Sequence, residues 1–260
     1  MKKRACYQLL TQILCLQILS TNYNFIVLAH PSVDTFLYGG CSPIKYEPNS
    51  QFDSNLNSLL TSLVNSATYS AYNKYTILAS TPQDVVYGLY QCRADLSMPD
   101  CATCVARAAT HLRPLCRQAC GGTVQLDGCF VKYDNASFFG VEDKSVTMKK
   151  CGPSDGYNAY GMNQRDAVLA GLNGAGGAYR VGGSEEVQGM AQCVGDLSMG
   201  QCQDCLKEAI RRLKAECGDG VFGDMFLAKC YARYSVSGAH AYSGSNHGKS
   251  IFQPRRFFMP

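Results

Sequence analysis

The chain has 260 residues, enough for one large domain or two domains of ordinary size. Its 46% hydrophobic and 17% charged residues are typical of a globular protein, and a scattered net charge of +4 argues against a nucleic-acid partner. Fifteen cysteines are many more than a cytosolic protein normally carries, because reducing compartments do not maintain disulfides. The composition therefore predicts folding in an oxidising compartment.

The N-terminus has the pattern of a secretory signal peptide, over residues 1–29. Basic residues 2–4 precede apolar stretches at 9–19 and 25–28, and the small residue Ala29 closes the segment. A membrane-spanning anchor is the alternative, and the length of the apolar run disfavours it.

The other end of the chain, residues 238–260, is predicted to be a disordered tail. Its residues are mostly small and polar, with basic residues near the end, and it lacks the ~20 apolar residues that a membrane span needs. We therefore expect no membrane span in the tail.

A cysteine pattern recurs at a constant offset of 101 residues, and this is the most specific signal in the sequence. The first copy contains Cys92, Cys101, Cys104, Cys116 and Cys129, and the second contains Cys193, Cys202, Cys205, Cys217 and Cys230. Cys41 and Cys151 precede the two sets at an offset of 110, which indicates an insertion or deletion in a loop. The repeat predicts two tandem modules, at residues 30–140 and 141–237.

Each copy carries signals for helices and strands. Apolar residues at helical spacing predict a helix over 51–70, and a weaker counterpart begins at 166–172. An Ala-rich segment with a Pro-Asp start predicts a second helix over Pro99–Leu115, with two cysteines on one face. Strands are predicted at Val85–Cys92, Val124–Tyr133 and Met225–Tyr234. Each module is therefore expected to be α+β, with two helices against a small antiparallel sheet.

The C-x2-C pairs have three possible roles: zinc ligands, a redox couple, or halves of separate structural disulfides. A zinc site needs a second ligand pair in each copy, and the four histidines do not recur with the repeat. A thioredoxin-like couple needs a single reactive pair beside a βαβ unit. Six cysteines in each copy suit structural disulfides, although they permit 15 pairings that spacing alone does not resolve.

The C-x8-C-x2-C spacing of Cys92, Cys101 and Cys104, repeated in the second copy, is the signature of the plant ginkbilobin-homology domain. Stretches such as YGLYQCRADLS, GCFVKYDN and AKCYARYS resemble the plasmodesmata-located proteins, a branch of the cysteine-rich repeat secretory proteins. The resemblance implies a five-stranded antiparallel sheet with two helices in each module, stapled by disulfides. The implied pairs are Cys41–Cys116, Cys92–Cys101, Cys104–Cys129, Cys151–Cys217, Cys193–Cys202 and Cys205–Cys230.

One cysteine of the mature chain has no place in the repeat. Cys120 lacks a counterpart because Val221 occupies the equivalent position, and an odd number of cysteines remains after removal of the predicted signal peptide. A buried free thiol is the expected state of Cys120, and an intermolecular disulfide is the alternative.

The sequence contains no recognisable pattern of a nucleophile with its base, a carboxylate pair or a phosphate loop. The glycine-rich stretches at 174–177 and 182–183 are predicted to be loops, since neither follows a strand and opens a helix. His111 is predicted to be an exposed helical residue. We therefore expect a protein without enzymatic activity, metal or cofactor.

The resemblance also offers a test for sugar binding. The mannose-binding antifungal relative has Asn after the first cysteine, Arg six residues before the last and an acid five residues after it. The equivalent residues here are Ser42, Thr123 and Asp134 in the first copy, and Gly152, Asp224 and Ser235 in the second. Only Asp134 matches the relative's residue in chemistry. Each lost polar contact is worth about 0.5–3 kcal/mol of binding free energy, so inherited mannose binding is not expected.

The triplet Asn135-Ala136-Ser137 is an acceptor sequence for N-glycosylation. It follows a predicted strand directly. We therefore expect Asn135 to lie in an exposed loop of a secreted glycoprotein.

The resemblance implies a non-enzymatic protein of the apoplast or the outer face of the plasma membrane, located at plasmodesmata. It would modulate cell-to-cell transport or callose by binding partners. The expected partners are cell-surface or cell-wall proteins and glycans, and association with itself or with related chains stays open. The alternative function is that of a secreted antifungal carbohydrate-binding protein.

Overall fold

The computed structural model describes residues 33–154 and 159–236. The predicted signal peptide and tail lie outside the described residues. The first module comprises β1 (Phe36–Cys41), α1 (Gln51–Ser66), β2 (Tyr72–Ile77), a 3-10 turn (Pro82–Asp84), β3 (Val86–Cys92), α2 (Met98–Leu115), β4 (Gly122–Leu126) and β5 (Cys129–Asp134). The second comprises β6 (Val146–Cys151), α3 (Ala159–Gly174), β7 (Tyr179–Gly183), β8 (Val187–Cys193), α4 (Met199–Glu216), β9 (Phe222–Leu227) and β10 (Cys230–Val236).

Each module is a five-stranded antiparallel sheet with two helices on one face. The strand order is β1-β4-β5-β3-β2 in the first sheet and β6-β9-β10-β8-β7 in the second. Residues such as Leu59, Tyr90 and Leu112 fill the first core between helices and sheet, and Leu169, Leu213 and Met225 fill the second. The predicted α+β architecture is confirmed.

Two sequence predictions about element bounds are wrong. The segments Val124–Tyr133 and Met225–Tyr234 are not single strands, because each reverses at a two-residue connection, 127–128 and 228–229, and forms a hairpin. The apolar alternation continues through the turn, so the pattern does not reveal the reversal. Helix α3 begins at Ala159, well before the predicted start at 166, in a stretch whose Gly, Asn and Tyr residues have low helix propensity.

The cysteine spacing follows from the way the second helix of each module lies on its sheet. Cys92 and Cys129 face each other across β3 and β5, while Cys101 and Cys104 lie one helical turn apart on α2. Neighbouring strands and successive helical turns have similar spacing, about 5 Å, so two parallel cross-links fit. Cys92 bonds to Cys101, and Cys104 bonds to Cys129.

The second module repeats this clamp, and a third disulfide in each module joins the edge strand to the end of the helix. Cys41–Cys116 and Cys151–Cys217 have Cα–Cα distances of 5.3 and 5.2 Å. Cys193–Cys202 and Cys205–Cys230 complete the set. The six pairs are the same as those that the family resemblance implies.

The repeated Asp-Leu-Ser-Met sequence before each cysteine-bearing helix supplies its N-cap. The Ser97 Oγ accepts a hydrogen bond from the Asp100 N–H at 3.3 Å, and Ser198 does the same for Gln201 at 3.4 Å. The Gln201 Oε1 accepts a hydrogen bond from the Ser198 N–H at 3.0 Å, which completes a capping box. The repeat thus preserves the point at which each helix begins, and with it the position of the cysteines.

Removal of one clamp disulfide tests its contribution to stability. The double variant Cys104→Ala/Cys129→Ala is expected to lose about 3 kcal/mol of unfolding free energy, because the unfolded chain regains the entropy of an open 25-residue loop. Denaturant unfolding of the oxidised protein measures this loss. Cys120→Ala, which breaks no disulfide, is the control, and a loss no larger than that of the control would contradict the assignment.

Candidate binding surfaces and the contact between the modules

A chain of alternating charges crosses from one module to the other. Arg93 donates to Asp95 at 2.7 Å and to Asp127 at 2.6 Å within the first module. The second Asp127 oxygen accepts from the Arg233 Nη1 at 2.8 Å, and the Arg233 Nε donates to Asp224 at 2.6 Å. Three carboxylates and two guanidinium groups therefore alternate across the contact between the modules.

For the two groups at the centre of the charge chain, ion pairing affects the pKa more than burial does. Burial alone would lower the pKa of Arg233, but Asp224 and Asp127 raise that pKa above its ordinary value. Burial alone would raise the pKa of Asp127, but Arg233 and Arg93 lower it. Both central groups therefore stay charged at neutral pH and fix the register of the contact.

Two equivalent glutamines reach across the contact in opposite directions. The Gln91 Oε1 accepts from the Gly195 N–H at 2.9 Å, and the Gln192 Nε2 donates to the Cys92 carbonyl at 3.0 Å. A Cβ on Gly195 would lie 2.9 Å from Cγ of the Tyr72 ring, so a larger residue here would push the modules apart. The two glutamines are equivalent but their partners are not, since Gly195 corresponds to Ala94 and Cys92 to Cys193, so the contact is not a symmetric one.

The segment that joins the modules is fixed by a buried ion pair. Lys229 is 2% exposed, pairs with Asp196 and donates to the Phe138 carbonyl at 2.9 Å. Asp196 also accepts from the Gly140 N–H at 3.0 Å. Desolvation lowers the pKa of Lys229 in spite of its acidic partner. The connection between the modules is therefore held against the second module.

Apolar side chains complete the contact. Leu89 and Phe130 of the first sheet pack with Val194, which follows β8 in the second module, and Phe138 and Phe139 cover them. A cavity of about 30 Å³ lies between the sheets, bordered by Tyr38, Gln125 and Phe226 among others. Ligand sites usually measure roughly 300–1,000 Å³, so this cavity has room for water but not for a ligand of ordinary size.

The positions that bind mannose in the antifungal relative are grouped only in part. Ser42 and Asp134 flank Gly121, since a Cβ there would lie 3.3 Å from the Ser42 Cβ and 2.8 Å from the Asp134 Oδ2. Thr123 lies on β4 and its hydroxyl donates to the Val131 carbonyl at 3.4 Å. The first module therefore offers one carboxylate and two hydroxyl groups there, without a cation among the three positions.

In the second module, the residues at the equivalent positions make other contacts. Asp224 occupies the position of the relative's arginine, and Arg233 of the same module neutralises it. Gly152 leaves no room for a side chain, because a Cβ would lie 2.6 Å from the Phe222 ring. Asp224 therefore serves the contact between the modules.

The remaining residues that the sequence singled out lie apart from one another. Cys120 is buried and unpaired, and burial raises the pKa of its thiol. His111 is exposed on α2, with its ring 5.7 Å from that of Phe36. Asn135 is half-buried in the turn after β5, beside the exposed Ala136 and Ser137, and its glycosylation stays a prediction.

Within residues 33–154 and 159–236, no three metal-ligating side chains converge. Across the same residues, no helix has both the length and the apolar character required to cross a bilayer.

Comparison with known proteins places this arrangement in a family. The salt stress response/antifungal family (Stress-antifung) matches residues 40–136 and 150–237, one match in each module. Plasmodesmata-located protein 7 of Arabidopsis thaliana is 60% identical over 230 residues, which cover 88% of this chain and 77% of the relative. The chain belongs to the plasmodesmata-located protein family. Plasmodesmata-located protein 6 of the same plant is 56% identical over 221 residues, which cover 84% of this chain and 77% of that relative.

Solved structures of the family show the same two modules. The tandem DUF26 ectodomain of the Arabidopsis thaliana cysteine-rich receptor-like protein PDLP5 matches with a TM-score of 0.75 and 44% identity, over 78% of this chain and all of that one. The corresponding ectodomain of PDLP8 matches with a TM-score of 0.75 and 41% identity, over 79% of this chain and all of that one. The fold is therefore that of a plasmodesmata-located protein ectodomain.

The charge chain is not among the features predicted from the sequence, although the repeat contains a signal for it. Arg93 and Asp127 correspond to Val194 and Ala228 in the second copy. Where a charged residue in one copy corresponds to an apolar residue in the other, the fold of the module does not require the charge. Such positions are candidates for contact between the modules.

Replacement of Arg233 tests the charge chain. Arg233→Met leaves Asp224 without its ion-pair partner and Asp127 with Arg93 alone, so a loss of about 3–5 kcal/mol of unfolding free energy is expected. Arg211→Met, which removes an exposed ion pair with Glu208, is the matched control and is expected to change stability little. Equal effects of the two variants in denaturant unfolding would argue against the assigned role.

The lowered pKa of Asp127 predicts a dependence of stability on pH. A carboxyl whose pKa is lower in the folded state stabilises the fold above the unfolded-state pKa, near pH 4, and this contribution is lost as the pH falls through the folded-state pKa. Unfolding free energies measured between pH 6 and about pH 2 are therefore expected to fall less steeply for Asp127→Asn than for the unmodified protein. Identical slopes would contradict the pairing.

Proposed function

We propose that the chain is an extracellular, non-enzymatic protein that acts at the wall between plant cells. It binds cell-surface or cell-wall proteins there, and so modulates transport through plasmodesmata or callose around them. The observation that carries this proposal is the 60% identity to plasmodesmata-located protein 7 across both modules. The disulfides are consistent with this location, since they persist in oxidising compartments.

The form of the molecule supports a binding role. Among the described residues, six disulfides and the charge chain fix the two sheets and four helices, so the outer surfaces keep a constant relative position. A preorganised surface loses little conformational entropy when a partner binds. Two modules in one chain also present two different faces, because the residues outside the cysteine framework differ between the copies.

A carbohydrate-binding role is less well supported. The first module keeps only Asp134 of the three mannose-contact positions, and the Asp134 Oδ1 already accepts from the Ala136 N–H at 3.1 Å. In the second module, Asp224 is paired with Arg233. Mannose binding measured on a glycan array would therefore contradict the proposal and favour a defence lectin.

Live-cell imaging tests the location. A fluorescent protein inserted beside Gln83, in the exposed β2–β3 connection, leaves both sheets and both termini unaltered. The proposal predicts punctate signal at the wall between epidermal cells that persists after plasmolysis. The matched control is the same fluorescent protein secreted behind residues 1–29 alone, which is expected to fill the apoplast. A diffuse apoplastic signal from the full chain would contradict the plasmodesmal location.

A further inference from the structure

The first module has an open cleft between α1 and α2, on the face away from the second sheet. Its deeper part has a volume of about 220 Å³, with Leu56, Leu112 and the buried Tyr133 among its lining residues. Its shallower part has a volume of about 340 Å³ and runs along the two helices past Ala106 and Ala109. Leu60 and Arg113 border both parts, so the two parts adjoin between the helices.

The cleft has an apolar floor and a cationic border. The Arg113 Nη2 donates to the amide oxygen of Asn57 at 2.7 Å, so its partner is neutral. Arg117 borders the deep part, and no carboxylate among the described residues forms an ion pair with either arginine. Lys45 is held nearby, because its Nζ donates to the Arg117 carbonyl at 2.9 Å.

Asp53 is the one acid among the described residues that line the cleft, and its carboxylate already accepts two hydrogen bonds. It lies in the first turn of α1, where its carboxylate accepts from the Asn49 N–H at 3.1 Å and from the Tyr46 hydroxyl at 3.4 Å. A carboxylate in the first turn is also stabilised by the helix dipole. The arginines therefore give the cleft a positive potential that an anion would complement.

The second module shows that the fold does not require this cleft. At the repeat offset, Lys207 and Ile210 on α4 replace Ala106 and Ala109 on α2. Both replacements add volume where the first module has only methyl groups. The small residues that open the cleft are therefore a feature of the first module and not of the framework.

The deep part is altered in the same way. Leu59 and Val168 pack against the equivalent glycines Gly88 and Gly189, which makes Leu56 equivalent to Arg165, three residues earlier. Arg165 is 3% exposed and lies over the ring of Tyr234, the counterpart of Tyr133. A guanidinium group thus lies in the second module where the first has an aliphatic side chain.

We propose that the cleft of the first module binds a small amphipathic carboxylate. Its aliphatic part lies along Leu56, Leu60 and Ala109, and its carboxylate accepts hydrogen bonds from Arg113 and Arg117. The shallower part alone, at about 340 Å³, falls in the range of ordinary ligand sites, roughly 300–1,000 Å³, and an apolar lining with few polar groups is typical of such sites. This site is independent of the proposed role at the cell wall, and either proposal can fail without the other.

Isothermal titration calorimetry with sodium decanoate, compared with decylammonium chloride of the same chain length, tests the charge preference. The proposal predicts one decanoate per chain and at least about tenfold weaker binding of decylammonium, because the ammonium group cannot accept hydrogen bonds from the arginines and is repelled by their charge. No decanoate binding, or equal binding of the two amphiphiles, would overturn the proposal.

Three variants locate the site. Arg113→Gln is expected to weaken decanoate binding about tenfold by loss of one charged contact. Ala106→Leu fills the groove from a partly exposed position and is expected to weaken it likewise, with circular dichroism as the check that the variant folds. Lys207→Gln is the matched control, because it removes a positive charge at the position of the second module that corresponds to Ala106. Unchanged affinity in the first two variants, or an equal loss in the control, would overturn the assignment.

Discussion

The architecture depends on a pair of parallel cross-links between one helical turn and two facing strand positions. Cys92 and Cys129 face each other across β3 and β5, and each bonds to one of two cysteines three residues apart on α2. This clamp fixes the rotation of the helix about its axis as well as its distance from the sheet. The buried face of α2 then follows, and the opposite face of the sheet is left free for other contacts.

The free faces of the two sheets meet in a contact that combines apolar packing with desolvated charges. Leu89, Phe130 and Val194 supply apolar area, whereas Asp127 and Arg233 supply orientation. Charges removed from water contribute little net stability, but an unpaired charge at such a place is costly, so only one register is favourable. The contact thereby turns two small modules into one body with a defined outer surface, as a binding protein requires.

Sequence reasoning predicts this structure unevenly, for physical reasons. The constant offset of the cysteines and the Ser97 and Ser198 caps predict the modules and the second helix of each, because covalent and capping chemistry depend on local spacing. The hairpins at 127–128 and 228–229 are not predicted, because the alternation of apolar residues continues unchanged where the chain reverses direction. The charge chain and the cleft depend on which surfaces meet in three dimensions. Only the mismatches between copies, such as Arg93 with Val194 or Ala109 with Ile210, hint at them.

The contact between the modules should make them one cooperative unit. Differential scanning calorimetry of the purified, oxidised chain measures this coupling, because independent modules unfold in separate steps whereas a coupled pair unfolds in one. We expect a single transition whose calorimetric enthalpy equals its van't Hoff enthalpy. Two resolved transitions, or a calorimetric enthalpy about twice the van't Hoff value, would show that the contact does not couple the modules.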